Sequence, residues 1–135
     1  MKKLISVLLM LAIFFVPIFT YADDSVATPY YLHIRSMAHL FDIDEQSGYA
    51  KVDARITLKS GDSCYVNATV KREINGAWRN VIAYSDTGTT SATISEDPYL
   101  SSGYKYKCVF TFKVYDANNN VIEEKTFTSQ EIDYT

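Results

Sequence analysis

Cysteine is scarce. Two in 135 residues are too few for a disulfide-dense miniprotein or a zinc-ribbon framework. Basic charge is also short: 13 Lys and Arg against 16 Asp and Glu give a formal net charge of −3, so no basic field is available to hold nucleic acid. Catalytic signatures are missing as well. There is no Gly-x-Ser-x-Gly elbow, no His-Glu-x-x-His and no phosphate-cradling glycine loop. Beyond the N-terminus no second long apolar run occurs, and no Leu-Pro sorting pentapeptide stands near the C-terminus. What is present is a hydrophobic fraction of 47%, too high for a disordered chain, in a length that suits one domain.

The first 22 residues differ from the rest. Lys2 and Lys3 precede an apolar stretch from Leu4 to Phe19, broken by Pro17, and Thr20-Tyr21-Ala22 offers small residues to a signal peptidase. This order predicts a helical secretory signal peptide over residues 1–22, cleaved after Ala22, and an extracellular product spanning 23–135. An uncleaved anchor is the alternative, since 17–25 apolar residues span a bilayer; Pro17 and the exit motif weigh against it. No cysteine follows the apolar core to carry a lipid. Cleavage leaves 11 basic against 16 acidic side chains, a net charge of −5, and no membrane association thereafter.

Period-two alternation dominates the remainder. Val52, Ala54, Ile56 and Leu58 alternate with polar residues, and so do Cys64, Val66, Ala68 and Val70. Asn75-Gly76 is a strong two-residue hairpin turn, and Ala77–Tyr84 is the returning strand. Ser85–Ser91 reads as a break before a short strand at Ala92–Ser95. The longest strand places Tyr104, Tyr106, Cys108, Phe110, Phe112 and Val114 on one face. Asn118-Asn119-Asn120 turns into a last strand near Val121–Ser129, and Tyr31–Ile43 supplies an irregular first one. About seven short strands without helical periodicity predict an all-β, antiparallel β-sandwich.

Leu100-Ser101-Ser102-Gly103-Tyr104-Lys105-Tyr106 resembles the approach to the sixth strand in fibronectin type III domains, and Tyr106-Lys107-Cys108 resembles the Tyr-x-Cys of immunoglobulin domains. The resemblance implies an immunoglobulin/fibronectin III-like sandwich in which the Tyr106 hydroxyl bonds back to the chain upstream. Ser47-Gly48-Tyr49-Ala50, Asn75-Gly76-Ala77-Trp78 and Gly103-Tyr104-Lys105-Tyr106 are similar to features of small secreted proteins of Gram-positive bacteria, a domain of unknown function. That similarity bears on fold and is silent on activity.

Cys64 and Cys108 both point inward, but Cys64 should face the far end of its partner strand, near Val114. Strands rise about 3.3 Å per residue, so the offset exceeds the roughly 7 Å Cα limit of a bridge. Two buried thiols are favoured over a disulfide. His33 and His39 lack partners for a zinc site and read as surface or edge residues. Asp116-x-Asn118-x-Asn120 reads as a hairpin turn, because Val121 and Phe127 stand where a calcium loop needs Gly and Glu. Asp42, Asp44 and Glu45 read as a solvated turn, with a weak calcium role as the alternative. No cofactor or metal is implied.

With the two-residue turn, Val70 should face Val81 and Ala68 face Ala83 on the inner side. Lys71 should then face Asn80, Thr69 face Ile82 and Asn67 face Tyr84 on the outer side. This groups Trp78, Ile82 and Tyr84 outward, with Tyr65 joining by parity and Tyr115 from the sixth strand. Outward Tyr and Trp give large contact area at low entropy cost; cross-strand packing that stiffens the ribbon is the competing reading. The expected function is a secreted, non-catalytic binding module that meets an unknown extracellular protein or polysaccharide through these residues. A carbohydrate-binding module and a self-associating cell-surface protein are the alternatives, and enzymatic activity is not expected.

Overall fold

A computed structural model describes residues 31–135; the expected signal peptide and its cleavage point lie outside them. Among the described residues eight strands and no helix are formed: β1 (Ile34–Ile43), β2 (Ala50–Leu58), β3 (Ser63–Ile74), β4 (Ala77–Gly88), β5 (Ser91–Glu96), β6 (Tyr104–Tyr115), β7 (Val121–Thr128) and β8 (Ile132–Tyr134). They make two antiparallel sheets, one ordered β1-β2-β5 and the other β4-β3-β6-β7, with β8 continuing along β6 beyond β7. The chain is an all-β sandwich.

Alternation in the sequence becomes alternation in burial. Val52, Ala54 and Ile56 of the first sheet meet Val66, Ala68, Val70, Phe110, Phe112 and Val114 of the second in one core cluster. Every buried side chain among the described residues is hydrophobic apart from the Tyr106 and Tyr134 hydroxyls and the two thiols. Tyr106 donates its hydroxyl proton to the Ser101 carbonyl at 2.6 Å, which pins the loop ahead of β6. Asn75 and Gly76 take φ of 52° and 78°, the positive values a two-residue hairpin needs.

Three expectations are corrected. Val70 pairs with Ile82 rather than Val81, while Lys71 still pairs with Asn80, so Val81 is an extra, bulged residue. Beyond the bulge every side chain of β4 changes face. Ile82 and Tyr84 therefore turn toward the core and pack against it, whereas Val81 is 41% exposed. The reason is packing: the larger pair buries more apolar surface than Val81 and Ala83 would. Second, β4 runs through the Ser- and Thr-rich stretch to Gly88, held by pairing with β3 as far as Cys64. Third, the first strand begins at Ile34 rather than Tyr31, and β8 adds a short segment at the C-terminus.

Side chains tie the two sheets together at their flanks. Glu123 on β7 accepts the Leu32 and His33 amides at 3.0 and 3.1 Å, tying the approach to β1 across the flank. On the opposite flank Asp86 of β4 accepts the Thr93 amide of β5 at 2.9 Å.

Candidate functional site

The outer face formed by β4, β3, β6 and β7 of the larger sheet follows from its registers. Ser85, Asn67, Thr111 and Thr126 form one row across β4, β3, β6 and β7, and Ala83, Thr69, Val109 and Thr128 form the next. These rows make a floor of small hydroxyl, amide and apolar groups. Within it the Thr69 hydroxyl donates to the Asn67 side-chain oxygen at 2.9 Å.

Aromatic residues stand at both ends of this floor. Trp78 lies opposite Glu73 and faces outward, with the Lys107 ammonium 4.1 Å from its ring centroid. At that distance the cation is attracted by the ring face, and the lysine stem covers part of the indole, leaving it half-buried. Tyr65 lies eight residues earlier on β3 than the residue facing Trp78, so about 26 Å separates the two ends. The Lys113 ammonium stands 6.0 Å from the Tyr65 ring. Tyr115, diagonal to Tyr65, joins it with Ser63, Thr87 and Asn119 around a depression of about 310 Å³.

Of the five residues expected to share a contact surface, Tyr65, Trp78 and Tyr115 lie on one face. Ile82 and Tyr84 do not, because the Val81 bulge rotates them inward; burial, with Glu96 second, pushes the Tyr84 phenol above its ordinary pKa. Nor do the three outward rings form one cluster, since Trp78 stands apart from the tyrosine pair.

Cys64 and Cys108 are free and buried. Cys64 pairs with Val114, and Cys108 pairs with Val70, six residues along β3 from Cys64. That spacing of about 20 Å excludes a bridge. Burial pushes the Cys108 thiol up to about 12, and the Cys64 thiol is raised for the same reason. Both thiols are thus protonated at neutral pH and shielded from solvent.

The remaining polar groups resolve simply. Asp116 accepts the Asn118 and Asn120 amides, both at 2.9 Å, and the Asn120 side-chain amide at 3.2 Å; the Asn120 bonds foremost hold its carboxyl below the usual range. Its oxygens are thus used by the turn. His33 bonds Ser60 through Nδ1 at 2.9 Å, while His39 lies on the rings of Phe127 and Phe110 at 4.9 and 5.0 Å between centroids. Among the described residues no three His, Cys, Asp or Glu groups converge to hold a metal ion.

The most exposed aromatic pair was not singled out by the sequence. Tyr49 and Tyr99, 55% and 66% exposed, meet edge to face at 5.7 Å in the two loops that bracket β2 and β6 at one end of the sandwich. The available signal was an aromatic beside a turn residue in each loop, Gly48-Tyr49 and Pro98-Tyr99. It is too common to single out a site.

No protein-family model matches the chain, and no curated protein matches it.

Proposed function

We propose that this protein is a non-catalytic recognition module of the immunoglobulin/fibronectin III-like class that works outside the cell. Its contact surface is the outer face of β3, β4, β6 and β7. One observation supports the reading: aromatic rings stand about 26 Å apart on one outer face, with two rows of hydroxyl, amide and small apolar groups and the Asn80–Lys71–Lys107 row between them. A strip of that length suits an extended polymer, protein or polysaccharide, better than a small molecule. Trp78 anchors one end, Tyr65 and Tyr115 the other, and Asn67, Thr69, Thr111 and Thr126 offer donors and acceptors between them. The class assignment is supported by the Tyr106–Ser101 bond and by the division into two antiparallel sheets of three and five strands, the short β8 being the fifth.

A polysaccharide is the favoured polymer, because aromatic faces stack on sugar rings and the Thr- and Asn-rich floor matches sugar hydroxyls. Self-association through a sheet edge is the weaker alternative, because β4 and β1 are bulged, β7 carries the charged Glu123 and Lys125, and one β5 amide is taken by Asp86. Trp78 is the sole tryptophan, so its emission reports on one end of the surface. Titration with soluble cell-wall polysaccharides should shift that emission, and Trp78→Ala should abolish retention on the insoluble polymer. Retention of the variant equal to that of the parent would refute the proposed surface.

A further inference from the structure

Two adjacent rows cross the outer face of the smaller sheet. Leu40, Asp53 and Ser95 form one across β1, β2 and β5, and Ala38, Arg55 and Thr93 form the other. These six residues line a depression of about 350 Å³. Leu40 is 46% exposed, and Ala38 on the same strand face offers almost no side chain. A lone exposed leucine is ordinary. The charges beside it are less so. Asp53 is half-buried: its Oδ2 stands 3.6 Å from the Lys51 ammonium, and its Oδ1 is shut off from solvent with no hydrogen-bond partner. Arg55, exposed and two residues further along that face, makes no hydrogen bond or ion pair among the described residues.

The two rows are complementary to each other. Let the outer faces of two copies meet about a two-fold axis that crosses the strands at the level of Ala54. Each row then lies on the other row of its partner. Leu40 of one copy covers Ala38 of the other, Asp53 meets Arg55, and Ser95 meets Thr93, every contact being made twice. Large side chain meets small, and anion meets cation. Other alignments lose this match. An axis running along β2 sets Asp53 on Asp53 and Arg55 on Arg55, and a slide of one row in either direction parts Asp53 from Arg55. The two rows flank the axis, so the crossing angle of about 30° between packed sheets displaces them least.

We infer that the outer face of β1, β2 and β5 is a self-complementary docking surface for a second copy of this chain, with Leu40 seated over Ala38 and Asp53 beside Arg55. Four rows on three strands cover about 360 Å² on each copy, against roughly 800 Å² per partner in a stable complex. The dimer is therefore weak and forms near millimolar protein. It uses a sheet face, not an edge, and does not depend on the Trp78 surface of the other sheet.

The test is dilution of the isotope-labelled protein from about 2 mM to about 20 µM, followed by amide NMR shifts and sedimentation velocity. Concentration-dependent shifts should centre on the six residues of the two rows, while the sedimenting species approaches twice the monomer mass. Arg55→Asp and Asp53→Arg should each weaken association at least about tenfold, because either sets like charges together at both contacts. An equal mixture of these two variants should associate again with shifts at the same six positions, since each contact between positions 53 and 55 then joins opposite charges. Amide spectra show whether each variant keeps the fold. Leu40→Ser, which alters only an exposed side chain, should weaken association at least about threefold and carries the test if a charge variant does not fold. A monomer at 2 mM, shifts centred on Trp78 and Tyr65 or on the β4 and β7 edges, indifference to the folded variants, or a mixture no more associated than its components would each overturn the inference.

Discussion

Cys108 provides a quantitative check on the core. It lies fully buried on β6, opposite Val70, and burial lifts its thiol from an ordinary 9.0 to about 12. In the unfolded chain the thiol is in water and ionises near its ordinary value. Below pH 9 both states keep the proton and stability does not depend on this group. Between pH 9 and 12 the unfolded state loses the proton while the folded state retains it, so stability falls as pH rises, by about 1.4 kcal/mol per pH unit. At pH 10.5 the loss is about 2 kcal/mol relative to pH 7, roughly a thirtyfold change in the unfolding equilibrium. Urea unfolding from pH 8 to 10.5, with a reductant to hold both thiols, should show this decline in the parent. Cys108→Ala should be less stable at pH 8 because of the cavity it leaves, yet its stability should fall less steeply with pH. All other ionisable groups are common to both proteins and cancel in the difference. Parallel pH profiles would mean that the thiol is hydrated in the folded state, and the sealed core described above would be wrong at its centre.

Two further changes test the ties around that core. Tyr106→Phe removes the donor to the Ser101 carbonyl while keeping the ring, and should cost about 1 kcal/mol and lower the melting temperature by about 4–8 °C; an unchanged melt would show that the bond contributes nothing net. Glu123→Ala removes the acceptor of the Leu32 and His33 amides, and should cost about 1–3 kcal/mol in urea unfolding. Hydrogen exchange should then accelerate at those two amides before any in β3 or β6; uniform acceleration would place the loss in global stability instead.

Most of the strand framework was legible because polar and apolar residues alternate without ambiguity. β2 reads Val52, Ala54, Ile56 against Lys51, Asp53, Arg55, and β3 opens with Cys64 where it meets Val114, as the strand lengths imply. β4 was not legible in the same way. Val81, Ile82 and Ala83 are consecutive and apolar, so either phase of the alternation satisfies a period of two. Tertiary packing decides the phase. Ile82 carries one more methylene than Val81, about 0.8 kcal/mol when buried, and Tyr84 presents far more apolar surface than Ala83. The hairpin turn fixes the register as far as Lys71–Asn80, and the core fixes it beyond, so the mismatch is absorbed as a bulge. That one residue is why Trp78 faces outward as expected while Ile82 and Tyr84 do not. β8 escaped notice because Ile132 and Tyr134 are only two inward positions, too short a pattern to distinguish from a tail.

The edges carry the argument from fold to recognition. An edge strand with free amides invites pairing with another chain. Here β4 carries the Val81 bulge, and its Asp86 occupies a β5 amide. β7 turns Lys125 and Glu123 toward the flank, where Glu123 occupies two amides ahead of β1 and the Lys125 ammonium stands 5.4 Å from the Tyr31 ring. β1 departs from regular pairing between Ile34 and Ser36. Each edge thus carries a bulge, an inward charge or an amide already bonded, and strand addition would first have to break one of these arrangements. A sandwich with edges of this kind leaves its faces and loop ends open. Outward aromatics stand there: half-buried Trp78 and Tyr65 beside lysines on one face, and exposed Tyr49 and Tyr99 at one end. Under the proposed function, the lysines beside Trp78 and Tyr65 favour a neutral or acidic polymer on that face over a basic one.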